Sequence, residues 1–240
     1  MSNYVTFVTV GDSGTIYYSQ DGGGHWTLAA SSLGDITSLK LLDVAYGNGL
    51  FVAVGNNGDG SQVLLTSPDG DSWNDHTPVD QGRMLYSVDY VNGRFIAGAI
   101  DLQSGEYVYE STDGINWGTA ISLNTMAAAP IVGVDYCNGF YLALDSAGTM
   151  RKSVDGSTWT AVDSDSTQTY TGIASDGKRF VVLTQSGSVF ATSDVETWSI
   201  LPGLPASNKL YTITYEGLEW AAGFAGGSFI VSRKIVQIPQ

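Results

Sequence analysis

Apolar and polar positions in this chain fall into short alternating runs, broken every few residues by glycine, asparagine or aspartate. The clearest are DVAYGNGLFVAVG (43–55), SVDYVNGRFIAGA (87–99), GVDYCNGFYLALD (133–145), GIASDGKRFVVLT (172–184) and TITYEGLEWAAGF (212–224). Each predicts a strand, a turn of the Asn-Gly or Asp-Gly type and a second strand, the strongest hairpin signal a sequence carries. A third run follows each hairpin: VLLTS, YVYES, TMRKS, SVFAT and SFIVS. No segment repeats its apolar residues at a helical period, which excludes a helical solenoid.

A heptad, Ser-x-Asp-Gly-x-x-Trp, closes the third run of each unit. It reads SPDGDSW (67–73), STDGINW (111–117) and SVDGSTW (153–159), with a longer copy SQDGGGHW (19–26) and a worn copy TSDVETW (192–198). Its marked residues are Ser19, Asp21 and Trp26; Ser67, Asp69 and Trp73; Ser111, Asp113 and Trp117; Ser153, Asp155 and Trp159; and Thr192, Asp194 and Trp198. Successive copies begin 39 to 48 residues apart, and one more step lands on Ser232, where the Asp and Trp are gone. Four antiparallel strands per unit of this length match a propeller blade. The reading is therefore an all-β, six-bladed β-propeller of four-stranded antiparallel blades, with the heptad turning the third strand into the fourth. It forms one domain over 1–240, with blades near 1–40, 41–84, 85–130, 131–169, 170–208 and 209–240.

The heptad resembles the Asp-box, or BNR, repeat of sialidase-like propellers, and the resemblance runs over essentially the whole chain. It implies a fold and leaves the activity open, because that superfold carries enzymes, assembly factors and surface proteins alike. The residues themselves argue for a structural role. An Asp can accept from amides of its own turn, glycine supplies a positive φ, the Ser hydroxyl adds a local bond, and the Trp folds over the turn.

Blade one begins abruptly, because an inner strand ahead of its first box would fall before residue 1. SFIVS reads as the third strand of blade six. KIVQIPQ (234–240) reads as its outer strand in preference to the vacant inner place of blade one. An unfilled edge invites pairing with another chain, so a homo-oligomer or larger assembly is an expected consequence.

Ten basic against 24 acidic residues give a net charge of −14, which repels phosphate backbones and anionic lipid and argues against nucleic-acid and membrane partners. Cys137 stands alone and reads as a buried structural thiol. The N-terminal MSNYVTFVTVGDSG lacks a basic and an apolar signal region, so synthesis in the cytoplasm without a signal peptide is expected, with a virion or surface assembly as destination. His25 and His76 have no neighbouring ligands, and NGDGS (57–61) and DSDS (163–166) lack a complete calcium-loop spacing, so no metal or cofactor is expected.

The resemblance implies an arginine cluster for a sialidase, yet the five arginines Arg83, Arg94, Arg151, Arg179 and Arg233 are scattered. Arg94, Arg151 and Arg179 read as scaffold, and no catalytic residue is assigned. Asp89 and Asp135 hold matching inner-strand positions and Asp43 lies two residues from that register. Asp89 and Asp135 are the fallback carboxylate pair for a glycoside hydrolase, with Asp43 as a third candidate. Binding is expected on loops at the ends opposite the heptads. The candidates there are Asn57, Asp59, Arg83, Met84, Asp101, Gln103, Asn124, Met126, Asp163 and Asn208. The sequence thus reads as a non-catalytic binding or structural propeller for a glycan or a protein surface, as in phage or bacterial surface or tail assemblies. A glycoside hydrolase or an intracellular assembly factor is the alternative.

Overall fold

A computed structural model of the chain describes residues 6–30, 36–77, 82–123, 129–162, 168–201, 210–216, 219–224 and 230–233. Among them every regular element is a strand. The chain divides into two compact units. The first comprises Met1–Ala97, Glu110–Thr119 and Phe229–Gln240, and the second Gly98–Tyr109 and Ala120–Ser228.

In the first unit, β1 (Phe7–Val10), β2 (Ile16–Ser19) and β3 (Thr27–Leu28) begin one sheet. β4 (Lys40–Gly47), β5 (Leu50–Asn56), β6 (Gln62–Ser67) and β7 (Asn74–Asp75) form a four-stranded antiparallel sheet in chain order. The next sheet takes strands across the unit boundary: β8 (Met84–Val91), β9 (Arg94–Asp101), β10 (Gly105–Ser111) and β11 (Ile121–Ser122), again in order. The second unit holds β12 (Ile131–Cys137), β13 (Phe140–Asp145), β14 (Met150–Ser153) and β15 (Thr160–Val162) as one sheet. A second sheet there joins β16 (Tyr170–Ser175), β17 (Phe180–Thr184), β18 (Val189–Thr192) and β19 (Ser199–Leu201). β20 (Leu210–Glu216) and β21 (Glu219–Phe224) pair as a hairpin, and β22 (Ile230–Arg233) returns to the first unit.

Second strands such as β5 and β17 are apolar on both faces because both are covered. Phe51 to Gly55 and all of β17 are buried, the near-continuous apolar pattern that two-sided burial selects. Val8, Phe51, Leu65 and Trp73 anchor the core of the first unit, and Leu142, Phe180, Val182 and Val195 that of the second.

The hairpins form as their turn residues require. Asn48, Asn92 and Asn138 have φ of 47°, 50° and 51°, each followed by a glycine with positive φ, which is the two-residue turn that matches strand twist. Asn48 and Asn138 also tie sheets together. Asn48 Nδ2 donates to the Thr112 carbonyl at 3.3 Å. Asn138 Nδ2 donates to the carbonyls of Lys178 at 2.7 Å and Ser193 at 3.0 Å. One residue type therefore meets a backbone demand and links a hairpin to the heptad turn of the following sheet. Asn138→Ala is expected to cost about 2–3 kcal/mol, from a left-handed penalty of roughly 1 kcal/mol and two lost bonds. Urea unfolding measures it, and a loss below about 0.5 kcal/mol would show that the tie contributes nothing.

Strand closure differs from the sequence expectation. Ile230–Arg233 does not add to β21 as a third strand. It pairs antiparallel with β1, placing Phe7 opposite Arg233 and Val10 opposite Ile230, so that the sheet runs β22-β1-β2-β3. The described residues thus form five four-stranded sheets and one two-stranded hairpin, and a sixth four-stranded blade is not found among them. The physical reason lies in pairing capacity. The sixth repeat has lost the Asp and Trp that close a third-to-fourth-strand turn, while β1 offers a whole row of ladder groups on its inner side. The inner place in that sheet, expected to stand vacant and invite another chain, is filled from within the same chain. KIVQIPQ (234–240), expected as an outer strand, lies outside the described residues.

Candidate functional site

The four sheets β4–β7, β8–β11, β12–β15 and β16–β19 each carry the hairpin turn and the heptad turn at one end and the second-to-third-strand loop at the other. In the β4–β7 sheet, Gly47 faces Leu50 and Thr66 faces Asn74 at the first end, while Asn56 faces Gln62 at the second.

At the first end the acidic residues are occupied by their own turns. Ser67 Oγ accepts the Gly70 amide at 2.8 Å and donates to Asp69 Oδ1 at 3.0 Å. Asp69 Oδ1 accepts the amides of Asp71 and Ser72 at 2.9 and 3.0 Å. The indole of Trp73 donates to the Gly70 carbonyl at 2.9 Å. The same set recurs around Ser111, Asp113 and Trp117 and around Ser153, Asp155 and Trp159. In the worn copy Thr192 replaces serine and Asp194 still accepts the amides of Glu196 and Thr197. Val195 there takes the left-handed conformation at φ 56°. Its side chain is buried in the core of the second unit, so apolar burial offsets a backbone strain that a glycine would avoid.

These bonds lower the carboxyl pKa values. Asp113 is held well below the ordinary range, first by the Asn116 side chain and then by backbone amides; Asp155 is held there by the amides of Thr158 and Ser157. Asp194 is lowered to about 2 by the amides of Thr197 and Glu196. At Asp69 burial pushes upward, yet the amides of Ser72 and Asp71 and the Ser67 hydroxyl outweigh it and the net shift is downward. Such groups are permanently ionised acceptors and have no proton to give a substrate near neutrality.

Asp43 and Asp135 behave oppositely. Asp43, on β4, accepts its neighbour Val44 amide at 2.8 Å and the Val88 amide of β8 at 2.9 Å. Asp135, on β12, accepts the Tyr136 amide at 2.6 Å and is bonded by Ser175 of β16. Each carboxyl therefore spans two inner strands. Each keeps part of its surface open but lies deep among protein atoms, and burial pushes both up to about 6 against the pull of those amides. Burial is the leading cause at both. A folded pKa above the unfolded value of 3.8 means the neutral form is preferred in the fold. The stability this represents is complete below pH 4 and is lost as pH rises through about 6. For each group the loss is about 3 kcal/mol. Asp135→Asn is expected to remove its share of that slope in urea unfolding between pH 4.5 and 7.5, and an unchanged slope would refute the assignment. Asp89, on β8, is part-buried and also interacts with other groups.

Three arginines act as scaffold. Arg94 pairs with Glu110 at 2.8 Å, Arg179 with Asp176 at 3.2 Å, and Arg151 donates to the carbonyls of Leu123 and Met150. Cys137 is buried, and desolvation first, then the charges of Asp135 and Asp176, push its thiol up to about 11.

At the loop end, Asn57 accepts the Gly58 amide and Asp59 accepts the amide and hydroxyl of Ser61. A Cβ on Gly60 would lie 4.0 Å from the Met84 sulfur, so the 57–60 loop and Met84 are brought together, with Arg83 next in chain. Asp101 accepts the Gln103 amide at 2.8 Å beneath Leu102, which is 69% exposed. Asn124, Met126, Asp163 and Asn208 lie outside the described residues. Among the described residues no three His, Cys, Asp or Glu side chains gather as a metal site.

The first heptad departs from the others. Its extra glycine lengthens the turn, Ser19 Oγ reaches the Gly23 amide, and Asp21 accepts both the backbone amide and Nδ1 of His25 at 2.8 and 2.5 Å. Trp26 is 40% exposed, whereas Trp73 is fully buried. The inserted residue is visible in the sequence; that it turns the indole outward and fastens His25 is not.

No protein-family model matches the chain, and no curated protein sequence does. Solved structures match in fold. The nidogen structure from a nidogen/laminin complex aligns with TM-score 0.70 at 10% identity, covering 98% of this chain and 100% of that one. A virginiamycin B lyase from Staphylococcus aureus, with quinupristin, aligns with TM-score 0.65 at 12% identity, covering 90% and 76%. YCF48 bound to a D1 peptide aligns with TM-score 0.55 at 15% identity, covering 98% and 91%. Together with the repeated four-stranded antiparallel sheets, this likeness defines the chain as a β-propeller. Identities this low carry the fold alone, and the neighbours include both binding proteins and a lyase.

Proposed function

We propose that this chain is a non-catalytic Asp-box propeller of the sialidase-like type, forming one domain, whose loops opposite the heptad turns bind a protein partner. The observation that carries the reading is the contrast between the two ends of each sheet. Heptad carboxylates are consumed by backbone amides, and hairpin asparagines are spent on ties between sheets. In the β8–β11 sheet the other end presents the exposed Leu102 and Gln103, a mixture suited to a protein surface. Support for a protein partner also comes from the neighbours, one in a complex with laminin and one with a peptide bound. A phage or bacterial surface or tail assembly is the setting we favour, and an intracellular assembly role is the alternative.

The test is selection of displayed peptides against the purified chain. Selected peptides are expected to lose binding when Leu102 and Gln103 are replaced by serine. They should keep it when Ser72 and Thr158, on heptad turns, are replaced by alanine. The reverse pattern, or no selectable peptide, would sink the reading. A glycoside hydrolase is the second reading, favoured by the carboxyls of Asp43 and Asp135 near 6, the protonation behaviour of a general acid. Release of reducing sugar from a glycan panel, abolished in Asp43→Asn or Asp135→Asn, would replace the first reading with this one.

A further inference from the structure

The longer first heptad builds a feature that the other heptads do not share. Gly22 and Gly23 both have positive φ, and a Cβ on either would meet no atom within 4 Å. A Cβ on the corresponding Gly70 or Gly114 would instead lie 2.8 Å from the Val8 side chain or 2.9 Å from that of Val52. The lengthened turn therefore stands in solvent. Beside it a pocket of about 270 Å³ is lined by Tyr18, Gln20, Asp21, His25 and Thr27. Tyr18 and Thr27 reach it as cross-strand partners of β2 and β3.

Like Asn116 in the third heptad, whose amide and side chain both bond Asp113, His25 is held by the carboxylate of its own turn. Its side chain is 93% exposed, so holding it gains little packing, yet Asp21 fixes it at both backbone and ring. With Nδ1 facing the carboxylate, that nitrogen carries the proton in the neutral ring and Nε2 is left as an acceptor. The carboxylate is itself spent: Oδ1 takes the Ser19 hydroxyl and the His25 amide, and Oδ2 takes the ring. The side-chain polar groups of Tyr18, Gln20 and Thr27 make no hydrogen bond among the described residues. The pocket thus gathers uncharged donors and acceptors: a phenol, an amide, a hydroxyl and an imidazole nitrogen.

That inventory selects a ligand class. An anion would meet Asp21 with no lysine or arginine in the lining, and a cation would find both carboxylate oxygens engaged. A transition metal would find one imidazole nitrogen where sites need several ligands. A hydroxyl-rich ring matches each group. Its hydroxyls donate to Nε2 and to the Gln20 carbonyl and accept from the amide and hydroxyls, while its C–H face lies on Tyr18. We infer that the His25–Asp21 turn, with Tyr18, Gln20 and Thr27, is a carbohydrate site that takes one uncharged sugar residue. It is separate from the loop end proposed for a protein partner, and it stands or falls independently of that site.

The experiment is titration of the full chain with a panel of neutral methyl glycosides and short oligosaccharides, followed by amide NMR shifts. At least one neutral sugar is expected to bind saturably at millimolar concentration, shifting the Gly22–Thr27 amides. His25→Ala and Gln20→Ala should each weaken it tenfold or more. These side chains are exposed, so both variants are expected to keep the parent melting temperature. Thr158→Ala, on another heptad turn, should leave binding unchanged. Absence of saturable shifts with every sugar in the panel would overturn the inference. So would binding that survives both substitutions, or Zn²⁺ producing those shifts where no sugar does.

Discussion

Trp73→Ala is expected to destabilise the chain by about 3–5 kcal/mol, the range for emptying a buried tryptophan site. Trp73 has no exposed surface, its indole closes the turn on the Gly70 carbonyl at 2.9 Å, and it belongs to the core that includes Val8, Phe51 and Leu65. The cavity and the unpaired carbonyl add in the same direction. Trp26→Ala supplies the internal control. That ring is 40% exposed, its indole has no hydrogen bond among the described residues, and its aromatic neighbour Phe7 is 6.4 Å away between centroids. Its loss is expected to stay within about 1 kcal/mol. Urea unfolding of the two variants checks the pair, and equal losses would show that the heptad Trp does not act through burial.

Ending the chain at Ser228 is expected to lower the melting temperature by about 10 °C or more. At 2–4 °C per kcal/mol for a chain of this size, that corresponds to the loss of several kcal/mol. The four register pairs between β1 and β22 disappear, from Phe7 with Arg233 to Val10 with Ile230. β1 is left with an open edge at which Thr9 and Val10, now buried, lose cover. A synthetic peptide of residues 229–240, added in excess, should restore most of the loss by refilling the seat. A truncated chain that melts within about 2 °C of the parent would mean that β22 does not hold the sheet.

Both predictions concern features of different legibility. The heptad and the hairpins were readable because they are local. Ser67, Asp69 and Gly70 satisfy amides no more than a few residues away, and Asn48 meets its own turn. A glycine replaced by Val195 was recognisable as the same turn because Thr192 and Asp194 remained. Strand closure was not readable, since the repeat spacing placed SFIVS after β21 and the actual partner is about 220 residues earlier in the chain. Nothing local distinguishes those seats; only competition between two sheets for one strand does. The functional candidates divide likewise. Asp59 and Asp101 proved to cap their own loops, as turn chemistry dictates. The raised carboxyls of Asp43 and Asp135 were not readable, because desolvation depends on what surrounds them in space. His25 has no neighbouring ligand in the sequence pattern, and its ring bond to Asp21 within the turn is visible only in the structure.

The sequence alone determined the repeated antiparallel unit, the turn chemistry at one end of each sheet and the structural fate of the heptad carboxylates, all of which depend on contacts within about ten residues. Tertiary structure decided which strand completes the sheet of β1, which acids are buried enough to hold a proton near neutrality and which tryptophan is left outside. Those outcomes depend on desolvation and on long-range competition for unpaired backbone groups, and neither is a property of any one segment.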